Sequence, residues 1–455
     1  MHPIVTPAEM REIDAHAPEP LDELIARAAW CVARRARSML GGVYGRRVVV
    51  IAGPGNNGAD GRVAAELLSS WGVRVEVVAP DVDQLPIADL VIDGAYGTGT
   101  NRNYRPARPA DGTPVLAIDI PSGVSGLTGE SMGSPLTASH TVTFAAYKPG
   151  VLLPPGGDLA GTVELVDIGL DASSATAWLF TSDDAAQWLP RRPTTAHKWK
   201  QATWVVGGSG GMHGAPLLAS QAALRAGSGM VWCGLPGQPL PAVASEVVFR
   251  PLPSDGWAQQ LVDDGARFGS FVIGPGLGRS SEAVHNVRAA VDALAAPVVL
   301  DGDALHLLGQ NPALPETVVL TPHDGEYEAL TGHRPQPDRF EAARELAAAT
   351  GATALLKGPV TIVARPDGRC LASISGDQRL ATAGTGDVLA GLVGSYLAAG
   401  LPSDIAAALG AYMHGASSRR QTAGGMVASD LLNGVRDVAH ELMTSPSKEP
   451  ANAAN

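Results

Sequence analysis

The residues best equipped to do chemistry in this chain are Gly384-Thr385-Gly386-Asp387, which open an aliphatic run over 388–399 suited to a buried helix. Small residues at a helix N-terminus let unpaired backbone N–H groups approach an anion, and the helix dipole favours phosphate there. An acid beside a phosphate cradle is electrostatically awkward unless it handles a proton or a cation, so Asp387 points to acid–base or cation chemistry. The plainer alternative is that the glycines allow close packing and Asp387 caps the helix. A second group of candidates lies far upstream. Asn56-Asn57-Gly58-Ala59-Asp60-Gly61 follows an apolar strand, and Asp93 and Asp119 stand at the ends of two more. In a parallel sheet, strand ends of this kind share one rim, where ligands bind.

The elements that must position these residues can be read from periodicity. Apolar residues recur at helical intervals over 6–40, which is expected to be helical and to cover one face of a sheet. Strands are expected at 48–51, 73–78, 90–92, 115–118, 141–144 and 162–166, with a helix over 62–71 after the Asn-rich turn. Periodicity is lost between Asp171 and Lys200, around Pro190-Arg191-Arg192-Pro193, and the domain boundary is expected there. Beyond it, 204–206 runs into a glycine turn and a helix to Ala226. Strands at 271–273, 298–300, 318–320 and 354–356 each run into a turn as well. The second half therefore reads as another doubly wound sheet, with a hairpin over 361–374 around Pro366-Asp367-Gly368. There is no GxxxxGK[ST] loop, so any nucleotide must be held in another way. Lys357 could meet a phosphate or reach solvent along its stem, and His323 could bind or merely cap a turn.

A chain of 455 residues exceeds one ordinary core, so two domains are expected. Hydrophobic residues at 45% against 17% charged, with 54 Gly and 35 Pro, fit an α/β enzyme. The net charge of −12 argues against nucleic acid as a partner. Cys31, Cys233 and Cys370 are too dispersed for a disulfide framework or a zinc site. No segment reads as a secretion signal or a membrane span, so a cytoplasmic location without membrane contact is expected. The polar tail over 445–455 is expected to be disordered.

Taken together, Asn56 to Gly61, Asp93 with Gly97-Thr98-Gly99, Asp119-Ile120-Pro121-Ser122-Gly123 and Lys148 resemble the NAD(P)H-hydrate epimerase family over residues 1–172. The resemblance implies a Rossmann-like three-layer fold and potassium ligation by Asn57, Asp93 and Ser122. It also implies substrate contacts from Asn56, Asn57, Gly58, Ala59 and Asp60, from Gly97, Thr98, Gly99, Thr100, Asn101, Arg102 and Asn103, and from Asp119. Asp119 would be the acid/base that interconverts the R and S hydrates. Two departures stand out: Ala59 replaces a family glycine, which would strain the loop if that position needs a positive φ, and the 24–30 helix lacks the family's Met and Gly.

The second half contains Gly214-Ala215, Gly274-Pro275-Gly276-Leu277-Gly278, Asp301-Gly302-Asp303, Thr321-Pro322-His323-Asp324-Gly325-Glu326, Lys357 to Thr361 and Ala383 to Gly391. In that order they resemble the ADP-dependent NAD(P)H-hydrate dehydratases, a ribokinase-like branch, over 180–445. The resemblance implies hydrate contacts from Ala215, Gly276, Gly278, His323 and Asp387. ADP, or ATP, would lie against Lys357, Gly358, Pro359, Val360, Thr361 and Gly386. Here 375–379 and 199–203 depart from the family pattern. The implied enzyme repairs hydrated NADH and NADPH (NADHX and NADPHX): one half epimerises R and S hydrates, and the other dehydrates the S hydrate. Asp387 would act as general base on the hydroxyl, with Mg²⁺ and the Gly384 to Gly386 amides stabilising the phosphoryl group. Identical copies are expected to associate. The alternative is a small-alcohol kinase fused to a cofactor-binding module without turnover.

Overall fold

The computed structural model describes residues 1–99, 102–241 and 245–444. The chain divides into two compact units, one over His2–Ala177 and the other over Trp178–Asn455 together with Met1. The expected tail over 445–455, and the loop residues Thr100 and Asn101, lie outside the described residues.

In the first unit six parallel strands form one sheet, in the spatial order Arg74–Val78, Arg47–Ala52, Leu90–Gly94, Val115–Ile118, His140–Phe144, Thr162–Val166. The four internal strands are buried along most of their length, and three of them have cores of Val, Ile, Leu and Ala, as parallel strands covered on both faces require. Strand order reverses between Arg47–Ala52 and Leu90–Gly94, so the carboxyl ends of these two neighbours splay apart and leave a crevice. Ile51 pairs with Asp93, and Ala52 with Gly94, at that edge.

Two expectations are corrected in this unit. The 6–40 stretch is two helices, Pro7–Ala15 and Leu21–Leu40, because Pro18 and Pro20 cannot continue an α-helix. The helix after the first strand begins at Asn56 and not at Arg62, so the Asn-rich stretch is the opening of the Asn56–Ser70 helix. The strain expected of Ala59 is therefore absent, since it stands in that helix with an ordinary backbone. The position that demands glycine is its neighbour: a Cβ at Gly58 would lie 1.8 Å from the Gly53 carbonyl oxygen. Ala59→Gly is expected to lower stability by about 0.5–1 kcal/mol. A gain in a denaturant melt would restore the strain argument.

The second unit carries a longer sheet. From Val248–Leu252 it runs through Met230–Pro236, Ala202–Val206, Ser270–Ile273, Val298–Leu300, Val318–Leu320 and Thr353–Leu356, all parallel. It continues into the antiparallel strands Thr361–Ala364 and Cys370–Ser373, the hairpin expected from Pro366-Asp367-Gly368. The strands Met230–Pro236 and Val248–Leu252 have no counterpart in the sequence reading, because Gly and Pro interrupt their apolar pattern. Order reverses at Ala202–Val206, whose exit turn meets that of Ser270–Ile273: a Cβ at Gly207 would lie 2.1 Å from the Pro275 carbonyl oxygen.

The helix Thr385–Ala398 is hydrophobic all round and buried along most of its length. It begins at Thr385, three residues before the expected start, so Thr385, Gly386 and Asp387 form its first turn. Gly391 lets it cross the helix Gly214–Arg225, since a Cβ there would lie 2.0 Å from the Ala219 carbonyl oxygen. This packing anchors the Asp387 end in the core of the unit. Among the described residues no helix is long and apolar enough to cross a membrane.

Candidate active sites

The crevice of the first unit opens into a cavity of about 560 Å³. Asn56, Asn57 and Asp60 line it from the start of their helix, Gly97, Thr98, Gly99 and Arg102 from the loop after the third strand, and Asp119 from the end of the fourth. Gly58, Ala59 and Asn103 are not among its lining residues. Lys148, quoted in the motif without a role, and Asp14, which the sequence did not single out, also line it.

Asp119 has φ 65°, a left-handed conformation that costs a non-glycine residue about 1–3 kcal/mol and clusters at functional sites. Its Oδ1 accepts from Lys148 Nζ at 2.5 Å and from Thr143 Oγ1 at 3.0 Å. Lys148, only 1% exposed, also donates to the Phe144 carbonyl at 3.0 Å. The ammonium of this buried pair is fully used, its third proton going to Thr143 Oγ1 at 3.1 Å, while Asp119 Oδ2 takes no hydrogen bond among the described residues. Asp60 lacks any such partner. Burial, then the charges of Asp119 and Asp14, push its carboxyl up to about 8.

Beneath the cavity Asp93 is fully buried. Ser122 donates its hydroxyl to Oδ1 at 2.6 Å and its N–H to Oδ2 at 2.9 Å, and the Ala95 N–H reaches Oδ1 at 3.3 Å. Burial raises the Asp93 pKa against these hydrogen bonds. All three donors are neutral, so a carboxylate here would have no compensating charge of its own. Asn57 donates Nδ2 to the Ile118 carbonyl at 2.6 Å, which leaves Oδ1 as an acceptor next to Gly97. The side chains of Asn57, Asp93 and Ser122 therefore offer oxygen atoms of the kind a hard cation takes.

In the second unit, Lys357 follows the strand Thr353–Leu356, and its partly buried side chain turns its ammonium toward two carboxylates. Its Nζ lies 3.0 Å from Asp301 Oδ1 and 3.3 Å from Glu326 Oε2. Burial works against the ammonium, but the two carboxylates outweigh it and its pKa is raised. Asp387 makes no hydrogen bond among the described residues. Burial and the charge of Asp301 drive it up to about 7, with Lys357 opposing and Glu326 and Asp303 adding to the rise. Gly386 keeps this face open, its absent Cβ being 3.5 Å from Lys357 Nζ.

Asp301, Asp303 and Glu326 were quoted within motifs but given no role, although Asp301 immediately follows an apolar strand, the same signal that singled out Asp93 and Asp119. Asp301 also accepts from Thr321 Oγ1 at 2.6 Å. Asp303 accepts from the Gly278 N–H at 2.9 Å and pairs with Arg279.

The other expected contacts fall on the turns around this cluster. Gly276 abuts Ala215, at 3.3 Å from a Cβ to the Ala215 Cβ. His323 caps the helix Asp324–Thr331, its Nδ1 accepting from the N–H groups of Gly325 and Glu326. An accepting Nδ1 leaves the proton on Nε2, which faces Glu326 at 3.5 Å. In the 357–361 segment the Arg339 guanidinium donates to the Lys357 carbonyl and lies 2.9 Å from where a Gly358 Cβ would stand. Gly358 and Pro359 are exposed, Val360 is in the core, and Thr361 begins a strand. Near Thr385, His414 is buried and its Nε2 has no hydrogen-bond partner among the described residues; burial lowers its pKa to about 4, so the ring is neutral.

Known proteins share this two-part plan. Residues 203–436 match the NAD(P)H-hydrate dehydratase family, and residues 21–86 and 79–150 match the family described as YjeF-related protein N-terminus. The bifunctional NAD(P)H-hydrate repair enzyme Nnr of Mycobacterium tuberculosis is 37% identical over 426 residues, covering 86% of this chain and 87% of that protein. The Escherichia coli enzyme of the same name is 32% identical over 469 residues, covering 90% and 88%. Among solved structures, the ADP/ATP-dependent NAD(P)H-hydrate dehydratase of Bacillus subtilis, co-crystallised with ATP and Mg²⁺, is 29% identical with a TM-score of 0.52. It covers 58% of this chain and 98% of that one. A ribokinase-like protein of Enterococcus faecalis shares the fold, at 22% identity and a TM-score of 0.52. With a Rossmann-like epimerase unit followed by a ribokinase-like dehydratase unit, and with identity sustained across both, the chain belongs to the bifunctional NAD(P)H-hydrate repair enzymes.

Proposed function

We propose that the first unit interconverts the R and S hydrates of NADH and NADPH and that the second dehydrates the S hydrate at the expense of ADP or ATP. The observation that carries this reading is the open carboxyl of Asp387, set in the first turn of a buried helix beside Lys357. The substrate hydroxyl is a poor leaving group. Asp387 takes its proton, the oxygen attacks the terminal phosphorus of the nucleotide, and the remaining nucleotide departs. Phosphate then leaves with its bonding electrons while a ring proton is lost, which restores the dihydronicotinamide. Lys357 and the N–H groups at the start of the Thr385–Ala398 helix stabilise the charge on the phosphoryl oxygens. Asp387 is the acid/base of this unit and Asp119 that of the first.

The four acids Asp301, Asp303, Glu326 and Asp387 outnumber Lys357 and Arg279, a surplus that suits a divalent cation bound jointly with phosphates. Mg²⁺ is held by one or two carboxylates plus phosphate oxygens and waters, so Asp301 and Glu326 suffice. It would neutralise phosphate charge during transfer. K⁺ would be held by Asn57, Asp93 and Ser122, where its charge offsets the buried Asp93. Ala215, Gly276, Gly278 and His323 would frame the hydrate, and the backbone of 357–361 and Gly386 the nucleotide. We assign residues 1–172 and 180–445 to the two activities and the cytoplasm as their place. The exposed Leu21 and Trp30 offer surface for association of identical copies.

The test is spectrophotometric recovery of NADH from its mixed hydrates by the full chain. Complete recovery with ADP or ATP is expected. Recovery that stops at the S fraction would remove the epimerase, and accumulation of a stable phosphorylated product would favour an alcohol kinase.

A further inference from the structure

The cavity of the first unit holds two carboxyls in opposite circumstances. Asp119 is bound to Lys148 and Thr143 through Oδ1. Asp60 is 5% exposed, lines the same cavity and makes no hydrogen bond or ion pair among the described residues. A buried carboxyl without a donor is costly when charged and cheap when protonated, and the neighbouring charge of Asp119 acts in the same direction. We propose that Asp60 is the proton donor of epimerisation, working with Asp119 as the base in a reversible opening of the hydrated ring. This rests on the substrate class proposed above.

The chemistry needs one group of each kind. The carbinol carbon bears both the hydroxyl and the ring nitrogen. Asp119 takes the hydroxyl proton, the bond from that carbon to nitrogen breaks with its electron pair going to nitrogen, and Asp60 protonates the nitrogen. The oxygen is now part of an aldehyde. Rotation about the adjoining C–C bond presents its other face. Nitrogen then attacks the aldehyde carbon, its proton returns to Asp60, and the oxygen recovers a proton from Asp119. Every proton goes back to its source, so the enzyme ends as it began and the reaction runs equally in either direction. Asp14 lines the same wall, and burial raises its pKa as well, but its side chain is exposed to water and less suited to retain a proton. The other charged groups facing the cavity are Arg11, Glu19, Arg102 and Lys148.

The full chain is supplied with pure R hydrate and no nucleotide, and formation of the S hydrate is followed chromatographically. Asp60→Asn is expected to cut kcat by about a hundredfold or more, as loss of a general acid does, while the variant still binds the hydrate by calorimetry. In the unaltered chain kcat/KM should fall as pH rises above about 8, where Asp60 loses its proton. That descending limb should vanish in Asp60→Asn and persist in Asp60→Glu. An Asp60→Asn chain that epimerises at the original rate overturns the proposal, as does a rate loss that leaves the limb in place. Should Asp60→Asn fail to fold, the profile of the unaltered chain decides: a flat profile well above pH 8 overturns the role. A chain that exchanges no hydrate at all would instead overturn the substrate class.

Discussion

Replacing Asp387 by Asn is expected to lower dehydration of the S hydrate by about 10²- to 10⁴-fold while R and S continue to exchange in the first unit. The amide keeps the shape of the carboxylate but accepts no proton, and Asp387 has no hydrogen bond among the described residues whose loss could unfold the helix. Its position in the first turn of a core helix makes misplacement of the variant side chain an unconvincing cause of lost turnover. The same residue predicts a pH dependence. A base must be ionised, and this carboxyl is pushed up to about 7 by burial and by its acidic neighbours. In the nucleotide-free enzyme, kcat/KM for dehydration should therefore climb with pH through 7 and level above it. Full dehydratase turnover in Asp387→Asn would take Asp387 out of the mechanism. A flat profile between pH 5 and 8 would mean that some other group accepts the proton.

Lys148→Met should damage the first unit in a different way, through stability as well as rate. Lys148 is almost completely enclosed, and its ammonium is the only cation paired with Asp119 among the described residues. Methionine fills most of its volume, so little of the effect comes from a cavity. What remains is a buried carboxylate without its counter-charge, a situation that costs about 3–5 kcal/mol. A denaturant melt of the variant should show that loss, and exchange of the hydrates should fall with it. Removing both charges distinguishes the cause. The double variant Asp119→Asn/Lys148→Met should regain much of the stability of the single one, because no unpaired charge is left. It should regain none of the epimerisation. Equal stability of the single variant and the unaltered chain would show that Lys148 is not holding Asp119 in place.

The contrast between the two sites explains what could be read before folding. Strand cores such as Val298–Leu300 and Val318–Leu320 are continuous aliphatic runs ended by a turn, and their hydrophobicity alone marks them. The acids at strand ends and the glycine turn before Asp387 were legible for the same reason, since they interrupt strong local patterns. Helix starts were less legible. Asn56 and Thr385 both begin helices that the sequence reading opened later, because Asn, Gly and Thr have low helix propensity and tertiary packing overrides it. The two-helix break at Pro18 and Pro20 was a local signal that the apolar periodicity masked.

By itself, then, the amino-acid order determined two α/β units, the rims on which ligand-facing residues lie, and the family motifs along them. Tertiary structure alone decided which of those residues meet. Lys148 reaches Asp119 across two strand ends, and Lys357 lies between Asp301 and Glu326, contacts separated by 29, 56 and 31 positions. Protonation was decided there too. Nothing in the sequence marks Asp60 and Asp387 off from other aspartates, and only burial and neighbouring charge push their carboxyls up.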